Sequence, residues 1–251
     1  MRAATVARVD TLFSLWRVLP GIDWAAIALL FAGWAGYARF AQARAAVQPS
    51  LLALTNRERT RWMLQTTWRE NRVIDGVVVQ NLSTSPSFFA STTILIIGGL
   101  LAVLGTTDKV NELVREIPFA ARTSLLVFDL KVVLLLGIFV YAFFRFTWAL
   151  RQYTFGALLV AAAPAHDQFH ATADREAFAE RAGRVMGLAA ETFNDGLRAY
   201  YFSFAAVAWF FSGWAMMAGT AGVIVILYRR EFHSDMLAVL RSDEAAPAPP
   251  P

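Results

Sequence analysis

Thirty consecutive residues between Arg198 and Arg229 carry no charged side chain. A second stretch, 86–105, is also free of charge, and two more, 22–40 and 123–150, are strongly apolar with a few ionisable residues near their ends. Water cannot solvate such runs cheaply. A bilayer can, provided that every backbone N–H and C=O is paired within the segment, which selects helices. About 20 apolar residues suffice to cross the hydrocarbon. The chain is therefore expected to be an all-α integral membrane protein, a four-helix transmembrane bundle with spans near 22–40, 86–105, 123–150 and 198–228.

Between the spans lie two long segments, 42–87 and 151–197, rich in arginine and with apolar residues at helical spacing. They predict amphipathic loop helices lying along the interface. In the first, Thr84-Ser85-Pro86-Ser87 reads as a helix start. In the second, Thr172 is placed to cap a helix with Asp174 and Glu176 in its first turn, and that helix is expected to run into the last span. Residues 1–21 read as an N-terminal amphipathic segment, 22–232 as the membrane domain, and 233–251 as a flexible Ala/Pro-rich tail. A cleavable leader ending at Ala41-Gln42-Ala43 competes with an uncleaved first span; the long lead and the later spans favour the anchor.

The charge balance of +4 raises the question of nucleic acid. The arginines flank apolar runs, however, so anionic headgroups are the better partner and no nucleic acid is expected. Lys and Arg are more numerous on the two long loops than on the opposite side, which holds both ends of the chain and the short loop between the second and third spans. That bias predicts cytoplasmic loops and periplasmic termini in a bacterial inner membrane. With no cysteine in the chain, disulfides, thiolate metal sites and cysteine nucleophiles are excluded. No Gly-rich phosphate loop, nucleophile elbow or paired-histidine protease signature is present, and no cofactor is expected.

Three polar groups stand out. Arg145 and Arg151 leave the third span where Arg198 enters the fourth, so all three belong at one headgroup layer, as lipid- or anion-binding candidates. Arginine cannot shed its proton, so Arg198 needs an acidic partner, and Asp195 and Glu191 lie three and seven residues before it. Asp129 and Lys131 are ionisable residues within a span, a functional signal in itself. His166 and His170 would share a face if they stood on a helix, as weak metal ligands, although their polar surroundings after Pro164 favour solvated loop histidines.

Three stretches carry a resemblance: Trp62-Met63 through Arg69-Glu70-Asn71-Arg72 to Ser91-Thr92-Thr93; Val140 to Trp148 with Arg151-Gln152-Tyr153; and Asn194-Asp195-Gly196-Leu197-Arg198-Ala199-Tyr200-Tyr201-Phe202. Together they resemble the domain-of-unknown-function 599 family of predicted membrane proteins, from about Trp24 to Phe232. Thr154 and Gly213 depart from the expected Asn and Pro, which bears on helix geometry. The resemblance implies a four-span fold and no known activity. The leading expectation is an uncharacterised, non-enzymatic inner-membrane scaffold, assembly or regulatory factor, in contact with lipids and with other membrane proteins or further copies of itself. The alternative is a small oligomeric transporter or channel using the Asp129/Lys131 region.

Overall fold

The computed structural model describes residues 19–45, 50–107, 109–110, 113 and 124–242. Most of the expected N-terminal amphipathic segment, most of the link between the second and third spans, and the chain beyond 242 lie outside the described residues. The elements are all helices: α1 Gly21–Ala45, α2 Leu51–Trp68, α3 Val73–Gly105, α4 Leu125–Ala161, α5 Thr172–Ala208, α6 Gly213–Phe232 and α7 Asp235–Ser242. Three of them, α1, α3 and α4, are long and apolar enough to cross a membrane.

The helices α4 and α5 have 37 residues each and α3 has 33. At 1.5 Å per residue they reach about 50–55 Å, well beyond the ~30 Å of hydrocarbon. They therefore serve two cores in succession. One lies in the apolar bundle, around Leu30, Ala142, Phe146, Phe202 and Trp209. The other lies beyond it, where α2 joins the projecting ends of α3, α4 and α5 around Met63, Val79, Tyr153, Phe178 and Met186. We call this second unit the platform. Around the bundle, Phe31, Leu95, Phe144 and Phe204 are exposed, a belt of large apolar side chains that suits lipid and not water.

The expected loop helices are thus corrected. Only α2 is a separate piece; residues 73–87 and 151–161 continue helices that begin or end in the bundle. Pro86 does not start a helix but sits inside α3. It removes one backbone hydrogen bond. Nearby, Ser83 and Thr84 donate their hydroxyls to the Gln80 carbonyl, and Val79 and Ala90 on either side are buried in the two cores. The cap of α5 falls one residue before Thr172: the Asp174 carboxylate accepts the Ala171 N–H at 3.2 Å.

The expected single helix over 198–228 is also corrected. Residues 209–212 reverse the chain. Ser212 is extended and its Oγ accepts the Ala215 N–H, starting α6 afresh. Helix α6 returns antiparallel to α5, with Gly219 against Ala205 and Arg230 beside Tyr201. It then runs parallel to α1: Asp23 lies at Gly213, Gly33 at Thr220 and Ile224, and Phe40 at Tyr228 and Phe232. Tail residues 235–242 form α7, with Leu237 buried.

Close approach of α2 to α5 depends on two glycines. A Cβ on Gly183 would come within 2.7 Å of the Thr60 Cα, and one on Gly187 within 3.1 Å of the Asn56 Oδ1. Because the first obstacle is backbone, Gly183→Leu should displace α2 and cost about 1–3 kcal/mol. Gly36→Ala, which meets nothing within 4 Å, should cost nothing. Thermal unfolding of the two variants in detergent checks this; equal melting temperatures would refute the docking.

Candidate functional site

Where the bundle meets the platform, α4 and α5 approach closely because Gly196 leaves room for the Phe146 ring, 2.5 Å from where a Cβ would stand. That contact sets Arg145 beside Asp195. Arg145 Nη2 donates to Asp195 Oδ2, and Arg198 Nη1, one turn along α5, donates to Oδ1 at 3.0 Å. Each arginine also faces a tyrosine: Arg145 lies 5.8 Å from the Tyr141 ring and Arg198 5.7 Å from the Tyr37 ring. The three-residue unit carries one net positive charge. Within it, Arg145 Nε is buried and has no hydrogen-bond partner among the described residues.

Helix α2 supplies the facing wall. Asn56 Nδ2 donates to Glu191 Oε1 at 3.0 Å, and Arg184 donates to the same oxygen at 3.2 Å. Arg59 donates to Asn56 Oδ1 and Thr55 Oγ1. Burial lowers the Arg59 pKa from its ordinary value, while Tyr153 and Glu191 act in the opposite direction. Glu231, from the end of α6, accepts the Leu52 N–H. Between these walls lie two adjoining cavities. One, of about 450 Å³, is lined by Arg145, Arg184, Arg198, Glu191 and Asp195. The other, of about 320 Å³, is lined by Tyr37, Arg59, Arg198, Arg230 and Glu231.

Arg145 and Arg198 are therefore brought together, with Asp195 as the acid between them. Arg151 is not. Six residues beyond Arg145, it is turned about 240° around the helix, exposed, with its guanidinium 5.6 Å from Phe155. Asp129 and Lys131 lie at the opposite end of the bundle and diverge. Asp129 accepts from Thr107 at 2.8 Å. Lys131 is 2% exposed, its Nζ 5.4 Å from the Trp209 ring and 5.6 Å from the Phe210 ring, and it feels the charge of Asp23. His166 and His170 are exposed in the turn between α4 and α5, off any helix. Among the described residues no three metal ligands converge.

A second polar cluster, at the far tip of the platform, was not anticipated as a site. Asp75 is fully buried and accepts from Trp62 Nε1 at 2.7 Å, from Thr66 at 3.0 Å and from Arg69. Arg175 donates to the Thr67 and His166 carbonyls and lies 3.8 Å from the Trp68 ring. Arg72 donates to the Ala163 and Pro164 carbonyls. These contacts fasten the α2–α3 link to the α4–α5 turn. Much of the family resemblance falls on these two clusters: Trp62 and Arg69 to Arg72 at the tip, Val140 to Trp148 and Asn194 to Phe202 at the junction; Ser91 to Thr93 and Arg151 to Tyr153 lie outside them.

The model of a family described as protein of unknown function, DUF599, matches residues 25–236. The chain belongs to the DUF599 family. Comparison with curated proteins and with solved structures yields no match. For this DUF599 member, the Arg145–Asp195–Arg198 unit is the strongest concentration of charge at the junction. Asp195→Asn should leave two guanidinium groups facing one another in a partly dry boundary. A double-mutant cycle of Asp195→Asn with Arg145→Gln should give a coupling of about 0.5–3 kcal/mol in detergent unfolding. A coupling of zero would dismiss the pair.

Proposed function

We propose that this chain is a non-enzymatic scaffold of the bacterial inner membrane, in which five crossings hold a rigid helical platform on the cytoplasmic side. The observation that carries this reading is that α3, α4 and α5 run unbroken from the apolar bundle into the platform core. A platform built on continuous helices keeps a fixed height and orientation above the headgroups, which is what a docking base requires. The polar groups of the platform serve the same end: Asp75, Arg72 and Arg175 are spent on fastening helix ends to one another.

The hairpin at 209–212 supports five crossings. Helix α1 and its parallel neighbour α6 run one way, as does α4; α3 and α5 return. The end of α6 then lies on the same side as α2 and the platform. This changes the charge count. Sixteen of the 23 Lys and Arg fall on the platform side, including Arg229, Arg230 and Arg241; six fall on the other, and Lys131 is buried between. A bias of that size supports a cytoplasmic platform. The N-terminal segment is then periplasmic and the C-terminal segment cytoplasmic, in place of two periplasmic termini.

A docking face is also at hand. Val73, Ile74, Val77 and Val78 are exposed at the start of α3, about 12–20 Å beyond the level of Pro86. Apolar side chains this far above the headgroups suit a protein partner.

Two measurements test the reading. The natural chain lacks cysteine, so single cysteines report cleanly. Ala165→Cys and Met236→Cys should react with a membrane-impermeant maleimide only from the cytoplasmic side, and Phe211→Cys from the periplasmic side. Opposite-side labelling of 165 and 236 would restore four crossings and end the five-crossing reading. A photo-crosslinking residue at position 77 in native membranes should capture a discrete protein partner, and Ile74→Asp in the same chain should abolish the adduct. A chain that stays uncrosslinked at position 77 argues against the scaffold.

A further inference from the structure

Helix α1 packs on α6 and α5 but not along α4. The space this leaves is an apolar cleft of about 570 Å³, walled by Phe31, Trp34 and Ala38 on one side and by Val133, Gly137 and Tyr141 on the other. Trp34 is backed by α5, where Phe202 stacks on it at 5.6 Å. The walls are low where small residues stand: a Cβ on Gly137 would meet nothing within 4 Å. From Val133 to Tyr141 the cleft rises about 12 Å along α4. At its upper end Tyr141 and Trp34 meet edge to face at 5.2 Å.

The cleft ends directly under the polar cavity of the junction. One turn above Tyr141 stands Arg145, over its ring; one turn above Ala38 stands Ala41. Both Arg145 and Ala41 line the 450 Å³ cavity. An apolar cleft open to lipid thus leads, within one turn on each wall, to a unit of two arginines and one aspartate with a single net positive charge. We propose that cleft and cavity together hold one glycerophospholipid, with an acyl chain along the cleft and its phosphate at the Arg145–Asp195–Arg198 unit.

The occupant follows from the order of the two halves. A free phosphate would account for the cavity and leave the cleft unexplained. A helix of a second copy would fill the cleft but bring no anion to the arginines. A phospholipid carries its single phosphate charge at the boundary between chain and water, the height at which the net charge of the unit stands, and guanidinium groups offer a phosphate paired donors. The cavity also holds Glu191 and Glu231, which suit a headgroup bearing an amine or hydroxyls beyond the phosphate. The inference rests on the Arg145 layer lying at headgroup level, as in the membrane placement above. It does not depend on the scaffold having a partner.

The test is photolabelling of the full chain in mild detergent with a phosphatidylglycerol bearing a diazirine on its acyl chain, followed by peptide mapping. Labels are expected on 31–38 of α1 and 133–141 of α4, at one lipid per chain. Gly137→Leu fills the cleft where there is open space, so it should leave the melting temperature unchanged and reduce cleft labelling at least tenfold. Gly98→Leu, on an equally open face of α3, should not. Arg198→Gln should weaken labelling of the same peptides, while 10 mM glycerol phosphate, a probe of the order of common cellular phosphate esters, should not compete. Labels scattered evenly over the apolar belt, or cleft labelling that survives Gly137→Leu, would overturn the proposal. Competition by glycerol phosphate would do so too, because it would assign the arginines to a soluble anion. The cysteine-labelling pattern above separates these failures from an error in membrane placement.

Discussion

The α4–α5 pair is the interaction on which the rest of this structure depends. Two antiparallel helices of 37 residues each share one apolar seam through two environments. In the bundle the seam is made of Ala142, Phe146, Ala199 and Phe202; in the platform it is made of Tyr153, Ala182 and Met186. In the membrane placement proposed above, the change of solvent from lipid to water falls part-way along both helices and leaves the packing uninterrupted. What changes is the outer surface, from exposed Phe144 and Phe204 to the arginine-rich faces of the platform. Helix α3 lies against α4, α2 and α6 attach to α5, and α1 attaches chiefly to α6. Their positions are therefore set by a seam they do not form.

Small residues decide where those attachments are close. Gly183 and Gly187 admit α2, Gly219 admits α6 against Ala205, and Gly33 admits α6 against α1. Within the bilayer there is no hydrophobic gain from bringing helices together, since lipid tails are as apolar as leucine, so contact area and shape govern association. The sparse packing between α1 and α4 has the same origin. α1 follows α6, which Gly33 and Gly213 let it approach, and a cleft is left beside α4, closed at one end where Trp34 meets Tyr141.

Much of this was legible in the sequence, and the parts that were not share a cause. The charge-free runs located the apolar bundle, and the 3.6-residue periodicity carried α5 correctly from the loop into the last apolar stretch. Asp195 was readable as a partner of Arg198, because three residues on a helix make neighbours. The reversal at 209–212 was hidden because both arms of the hairpin are apolar, and hydropathy records no direction; Ser212-Gly213 was the one local sign. Arg151 was grouped with Arg145 by nearness along the chain, although its angle around α4 points it elsewhere. The α2 wall of the site could not be read locally at all. Asn56 and Arg59 face the cavity because Gly183 and Gly187, more than 120 residues later, let α2 settle there.

The charged contacts recur at three heights along the helices, and their spacing explains why a membrane protein retains them. An apolar seam of Val, Leu, Phe and Ala looks nearly the same after a slide of one turn, so it fixes the register of two long helices weakly. Near the outer end of α4, Lys131 is enclosed by Trp209, Phe210 and the neighbourhood of Asp23. At the junction Arg145 meets Asp195. At the tip Arg72 and Arg175 hold the carbonyls of the facing link, and Asp75 holds Trp62, Thr66 and Arg69. A slide of one turn, about 5.4 Å, would break all three sets at once and strand charges in partly dry surroundings. Leaving one partner of such a pair unmatched costs far more than the intact pair contributes. The polar contacts add little to the net strength of association, and they act as marks that admit one alignment of α4 on α5. That alignment in turn places Arg145 and Arg198 on either side of one carboxylate where the apolar bundle meets the platform.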